Sequence, residues 1–192
     1  VILIGGHLDS WHGGTGGADN ASGCIVMMEA MRVLKAVGVK PKRTIRIALW
    51  GGEEQGLYGS AGYSNNYLYD REKKKKLDGY DDFTLYLNMD NGSGRFRGIY
   101  LERNDLAIPF FKTWMEPLQS IGFNVLSPRT TGSTDHVTFD RIGLPAYQFI
   151  QDPLEYGRTY HTTMDTYERL SLDDLRIDAC IVAWLALCAA ED

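Results

Sequence analysis

The 192-residue chain has no apolar run approaching the roughly 20 residues that a membrane-crossing helix needs. Its longest late apolar stretch, Ile181 to Ala190, carries helical patterning of its own, so no membrane span is expected. Positive charge is not in excess either. A net charge of -5 removes the electrostatic basis for holding nucleic acid or an anionic lipid surface. Cysteine is scarce and odd in number, with only Cys24, Cys180 and Cys188. Cys24 and Cys180 fall on predicted apolar helix faces, where a buried free thiol is the usual outcome. The glycine-rich segment from Gly13 to Gly23 lacks the lysine and hydroxyl of GxxxxGK[ST], which counts against a phosphate-binding P-loop. An initiator methionine and a basic leader are missing too. Val1 opens straight into an apolar strand, so the chain is expected to be a piece of a longer protein that lacks its N-terminal part.

What remains is an ordinary globular composition, 44% hydrophobic and 23% charged. The length suffices for one domain with a sizeable core, expected to cover residues 1–192. Val1 to Gly6 reads as a strand buried on both faces. Residues 20–37 carry Ile25, Met28, Met31 and Leu34 at helical spacing and stop at Gly38, with Pro41 beyond. Residues 44–50 are again apolar and β-rich, which makes a right-handed βαβ unit. Further helices are expected over 56–69, 106–121 and 173–190, the last with Ser171 as its cap. Further strands are expected over 82–89, 98–102, 123–126 and 145–150. This alternation predicts an α/β fold, a three-layer αβα sandwich around a mainly parallel mixed sheet. The lysine run Lys73 to Lys76 reads as a solvated segment and receives no function.

Acids and imidazoles recur where predicted strands end. In an open α/β sheet those ends face one crevice, so residues distant in sequence converge there. His7 and Asp9 stand two apart at the end of the first strand, where Asp9 is positioned to take the second N–H of a ligating imidazole. A His–Asp bond that merely steadies a turn fits the same residues. Asp19 follows the glycine-rich loop immediately before a helix, as a metal ligand or as a helix cap. Glu53 and Glu54 stand side by side after the second strand, either as a plain surface turn or around a cation. Their mutual repulsion is relieved if Glu54 binds metal and Glu53 stays free to shuttle a proton. Asp90, in Asn88-Met89-Asp90, repeats the pattern at the third strand, and His161 lies in a late polar loop, Tyr160-His161-Thr162-Thr163-Met164-Asp165-Thr166.

Taken together, His-x-Asp, the loop Asp, Glu-Glu, Asn-x-Asp and the late Tyr-His-Thr-x-x-Asp-Thr resemble the dizinc exopeptidases that include bacterial leucyl aminopeptidase and carboxypeptidase Q. The resemblance runs from Val1 to about Leu170. It implies that His7 and Asp90 hold one Zn²⁺, that Glu54 and His161 hold the other, and that Asp19 bridges them. Glu53 then matches the general acid/base, with Asp9 beside it in the catalytic set. Asp135 and His136, in Ser133-Thr134-Asp135-His136, resemble a pocket-lining segment, although Ser133 and Thr134 also suit a capped helix start; Tyr160, with Tyr147, Phe149 and Tyr156, is a candidate for the pocket wall or plain core. The implied activity is hydrolysis of a terminal peptide bond by water activated between two zinc ions, on a peptide or dipeptide. The family also implies a secreted or periplasmic location and a cis peptide after the bridging Asp19.

Asp19, Glu54 and Asp90 bring three negative charges against four on two Zn²⁺, which a bridging hydroxide completes. Manganese or cobalt suits the same donors. Segments 6–11 and 41–46 look like the carboxypeptidase Q branch, whereas 18–23 looks like the general aminopeptidase pattern. An aminopeptidase is therefore the main expectation and a carboxypeptidase Q-like dipeptidase the alternative. The same fold also serves glutaminyl cyclase, with one zinc, and receptor-type domains that have lost their metal. The full set of ligand residues argues against the latter.

Overall fold

A computed structural model describes residues 1–192. Strands β1 (Ile2–His7) and β2 (Ile45–Trp50) pair in parallel on either side of helix α1 (Ser22–Val37) in the chain, forming the expected βαβ unit. Helix α2 (Tyr58–Tyr63) is followed by a small antiparallel hairpin, β3 (Tyr69–Asp70) with β4 (Lys75–Lys76). The order then runs β5 (Leu85–Asn88), β6 (Phe96–Tyr100), α3 (Ile108–Met115), β7 (Val125–Ser127), α4 (His136–Asp140), β8 (Ala146–Gln151), α5 (Tyr156–Thr159) and α6 (Leu172–Glu191). Six strands build the main sheet in the order β2-β1-β5-β8-β6-β7. The four strands from β2 to β8 are mutually parallel. The β6–β8 pairing is antiparallel, so β6 and β7 run the other way and the sheet is mixed.

The period of two in β1 sorts its side chains between two cores. Ile2 and Ile4 join the larger one, with Val26 and Met27 of α1 and Ile181, Val182 and Leu185 of α6. Leu3 turns to the opposite face and meets Trp50, Tyr86 and Phe139. A strand covered on both sides has to be apolar throughout, as Val1 to Ile4 is. The outcome is the expected layered sandwich, with the carboxyl ends of β1, β2, β5 and β8 gathered along one edge.

Several local expectations need correction. The helix expected over 106–121 is split into a 3₁₀ turn, α3 and a second 3₁₀ turn over Glu116–Ile121. Pro117, which offers no N–H and crowds the preceding turn, lies at that break. The helix expected over 56–69 is regular only within α2; a wider turn over Ser64–Leu68 follows it, and Tyr69 is extended. Cys180 is exposed, not buried, because α6 faces the core through Ala179, Ile181, Val182 and Leu185 and turns Cys180 and Trp184 outward. Ser171 precedes α6, but its hydroxyl donates to Asp174 (2.6 Å) and does not cap a helix N–H.

Asp178 is the one charged side chain that α6 sends into the core, and it is completely buried. Its Oδ1 accepts the Phe96 N–H at 2.9 Å, while Oδ2 has no partner. Burial pushes this carboxyl up to about 8. The native state therefore holds the proton more tightly than the unfolded chain. Stability present in acid is lost as pH rises from the ordinary carboxylate value near 4 through about 8. Asp178→Asn keeps an acceptor for Phe96 without the charge. It is expected to add roughly 1 to 3 kcal/mol at pH 9 and little at pH 5. Thermal melts across that range check this; parallel profiles for variant and wild type would refute it.

Candidate metal centre

The candidate ligands lie at the carboxyl ends of parallel strands or in the loops that follow them. His7 is the last residue of β1, Glu53 and Glu54 follow β2, Asp90 lies two residues past β5, and His161 lies in the loop after α5. Asp19 lies between β1 and α1 in a turn over Gly17–Ala21 whose φ/ψ leave helical values at Asp19 and Asn20. The Asp19–Asn20 peptide is cis, as expected. His161 is held in the left-handed region with φ 61°, which costs a residue with a Cβ roughly 1 to 2 kcal/mol. Such a conformation persists where the surroundings dictate it, commonly at functional sites.

The donor atoms form two groups that share Asp19. In one, His7, Asp19 and Asp90 converge; in the other, Asp19, Glu54 and His161 converge, each set with its ligand atoms within 4.8 Å of one another. Asp19 Oδ1 lies 3.2 Å from His7 Nε2, which is 3.5 Å from Asp90 Oδ1. Asp19 Oδ2 lies 3.0 Å from His161 Nε2, which is 3.0 Å from Glu54 Oε2. One carboxylate thus turns one oxygen to each group. Asp19 Oδ2 and Glu54 Oε1 are buried and receive no hydrogen bond. Buried acceptors left without a donor are costly, and a cation between them removes that cost. Imidazole and carboxylate donors in this number fit zinc well.

The imidazole of His7 is oriented by a backbone group, not by the carboxylate expected for that task. His7 Nδ1 lies 2.9 Å from the carbonyl oxygen of Asp9, with Asp9 Oδ1 farther away at 3.6 Å. A carbonyl only accepts, so Nδ1 carries the hydrogen and Nε2 faces Asp19 and Asp90 with its lone pair. Without metal, burial pushes His7 down, but hydrogen bonds to Asp19 and Asp90 outweigh it and carry the imidazole up to about 12. A proton then occupies the position a cation would take. The Asp9 carboxylate is engaged elsewhere: Oδ1 accepts the Glu53 N–H at 3.1 Å and Oδ2 the Glu54 N–H at 3.2 Å. It therefore fixes the turn that presents both glutamates. Burial, and then the charge of Asp90, push Glu53 up to about 8. Its Oε2 is 4.0 Å from His7 Nε2, at the edge of the donor set.

The model of the family described as Peptidase family M28 matches residues 1–185. The chain belongs to peptidase family M28. Carboxypeptidase Q of Rattus norvegicus is 29% identical over 191 residues, which cover 100% of this M28 chain and 38% of that protein. The crystal structure of a peptidase M28 precursor from Shewanella amazonensis SB2B superimposes with a TM-score of 0.86 at 27% identity, covering 100% of this chain and 41% of that one. BSAP, a zinc aminopeptidase from Bacillus subtilis, gives 0.76 at 28% identity, covering 100% and 46%. This M28 chain therefore spans less than half the length of the proteins it matches here.

Behind Asp90 lies a buried amide network. Asn88 Nδ2 donates to Gln148 Oε1 (2.7 Å) and to Thr134 Oγ1 (2.9 Å), while Gln148 Nε2 donates to the Asp90 carbonyl (2.8 Å). Trp50 Nε1 donates to the Tyr86 hydroxyl (2.8 Å), which donates to Asn88 Oδ1. Of Asp135, His136 and Tyr160, only Tyr160 reaches solvent. Its ring lies 4.5 Å from that of His161 and stacks on Tyr156. Asp135 and His136 are wholly buried. Neither oxygen of Asp135 has a hydrogen-bond partner, and burial pushes it up to about 7. His136 Nε2 turns to Glu102 Oε1 at 3.4 Å and to the Thr131 carbonyl at 3.3 Å, so it braces the segment leading to Thr134.

Trp11 and Asp165 gain a place at the site that sequence patterning had not assigned to them, and Tyr156, an aromatic offered for the pocket wall, joins them. Trp11 donates its indole N–H to Glu54 Oε2 at 2.6 Å and tilts over His161. Tyr156 stacks on Tyr160, and burial, followed by the charges of Asp90 and Asp19, raises its pKa. Asp165 accepts backbone N–H groups of the Asp19 turn. Asp165 left a trace in the sequence as the acid four residues after His161.

Proposed function

We propose that this chain is the catalytic part of an exopeptidase that holds two zinc ions and removes single residues from the amino end of peptides. The observation that carries this reading is the placement of Asp19 between two imidazole–carboxylate groups, with Glu53 beside them and not among the donors. The zinc aminopeptidase BSAP shares its fold at 28% identity, which supports the choice of metal. His7 and Asp90 would hold one ion, Glu54 and His161 the other, and Asp19 both. Bound there, zinc would lower the pKa of a water and polarise the scissile carbonyl.

The protein's own side chains do the rest. Glu53 accepts a proton from the attacking water on a carboxylate oxygen and returns it to the leaving nitrogen. Asp9 keeps Glu53 and Glu54 in register through their amides. Asp135 and His136 support the floor from behind, and Tyr160 flanks the substrate at the mouth. No ion pair joins His7, Asp19, Glu53, Glu54, Asp90 or His161 to a lysine or arginine, so the site suits a cationic amino terminus better than a carboxylate.

Metal analysis of the purified protein, with assays on aminoacyl anilides and dipeptides before and after chelation, tests the reading. Release of free amino acid that stops with the chelator and returns with zinc is the expected result. Cleavage of carboxyl-terminal residues or dipeptides alone would shift the assignment toward carboxypeptidase Q, which is 29% identical. Cyclisation of glutaminyl peptides without amino acid release would replace it.

A further inference from the structure

We propose that Asp165 is a positioning residue that aims both oxygens of Asp19, and that through it the late loop carrying His161 governs the affinity of both metal positions. This rests on the two-metal reading above.

Asp165 is almost fully buried. Its Oδ1 accepts the Ala18 N–H at 2.6 Å and its Oδ2 the Asp19 N–H at 3.0 Å, so one carboxylate grips two consecutive amides of the turn that bears the shared ligand. Its own carbonyl accepts from Thr15, through the backbone N–H at 2.9 Å and through Oγ1 at 3.1 Å. The glycines of the first loop serve this union. A Cβ on Gly14 would meet the Thr162 carbonyl oxygen at 2.6 Å, and one on Gly17 would meet the Thr166 backbone at 2.9 Å. The two loops are therefore in backbone contact along their length. The late loop is also braced internally, since Thr162 Oγ1 donates to the Thr159 carbonyl at 2.7 Å and accepts from the Met164 N–H at 3.1 Å.

His161 and Asp165 thus belong to one short, stiff segment that reaches the metal site twice, once as a donor and once through the backbone of Asp19. His161 serves a single metal position. Asp165 acts on Asp19, whose Oδ1 faces His7 and whose Oδ2 faces His161, so it acts on both. Its charged, two-pronged acceptor has no equal in asparagine, whose amide would turn an N–H toward an N–H.

The test compares wild type, Asp165→Asn and Thr15→Val after removal of metal with a chelator. Each is titrated with zinc against a competing chelator, and with cobalt followed by its visible absorption. Apo melting temperature and exchange rates of the Ala18 and Asp19 amides are measured alongside. Asp165→Asn is expected to weaken both zinc-binding steps by 10- to 100-fold, the usual range when a group orienting a ligand is lost. It should also alter the cobalt spectrum and speed exchange at both amides. Thr15→Val, which removes a loop contact but not the carboxylate grip, should bind zinc within twofold of wild type. Unchanged zinc affinity in Asp165→Asn, or a loss confined to one step, overturns the proposal while leaving the two-metal reading intact. A lower apo melting temperature with intact affinity means a structural brace only and overturns it as well. Wild type that takes up no zinc overturns both. Should Asp165→Asn fail to fold, Asp165→Glu, which keeps the charge but displaces it by one methylene, is scored in the same way.

Discussion

Glu53→Gln is expected to retain zinc at the wild-type level while turnover falls by about a hundred- to ten-thousandfold. Glutamine matches glutamate in shape, and the Glu53 backbone amide remains available to Asp9 Oδ1, so the turn that presents Glu54 should persist. What disappears is the ability to take a proton from water and deliver it to the leaving nitrogen. Burial pushes Glu53 up to about 8 without metal, which marks a carboxyl that exchanges its proton near neutrality. Nearby cations would draw that value down, toward a base that is ionised in the working enzyme. The loss should fall on kcat, with KM within a few-fold, because the substrate is held by other groups. Steady-state kinetics paired with metal analysis decides the matter. A variant with full zinc and near-normal kcat would remove Glu53 from the reaction.

On the proposed two-zinc reading, Asp19→Ala is expected to bring metal content from two ions to below one and turnover down by roughly a thousandfold or more, since both carbonyl polarisation and water activation would depend on the pair. No other residue belongs to both donor groups. His7→Ala and His161→Ala each remove a donor from one group alone, so each should lose one ion and leave the other measurable. Without metal, Asp19 pairs with the His7 imidazole at 3.2 Å and helps carry it up to about 12, so its removal breaks a buried ion pair and costs stability. The melting temperature of Asp19→Ala in chelator should therefore fall, and a circular dichroism spectrum that matches wild type below that temperature separates a loss of binding from a loss of fold. Two tightly held ions in the variant would sink the shared-ligand arrangement.

The candidates His7, Glu53, Glu54 and Asp90 stood out because each ends or follows a strand whose patterning is strong, whereas Asp19 and His161 lie in loops and were singled out by the resemblance of the whole pattern. Val1 to Ile4, residues 44–50 and 82–89 are apolar enough to be called strands from composition, and a strand end is where α/β sheets place their chemistry. The weaker pieces were not legible: β3, β4, α4 and α5 are five residues or shorter, less than two helical turns or two strand alternations. The roles of Asp9 and Asp165 were not legible either. Both offer carboxylates that could have met an imidazole, a helix end or a metal, and both bind pairs of backbone amides from other parts of the chain. Side-chain type constrains what a residue can accept. It does not say which donors arrive.

The order of apolar and polar residues along the chain thus determined the layered α/β sandwich and the set of acids and imidazoles at its strand ends, since burial periodicity and ligand chemistry are local properties. Tertiary structure alone decided that Asp19 faces two groups at once, that Glu53 stands clear of them, and that the glycine-rich loop lies against the late loop. Those relations join His7, Asp19, Glu54, Asp90 and His161 across long stretches of chain, and only the packed sheet brings them within a few ångströms.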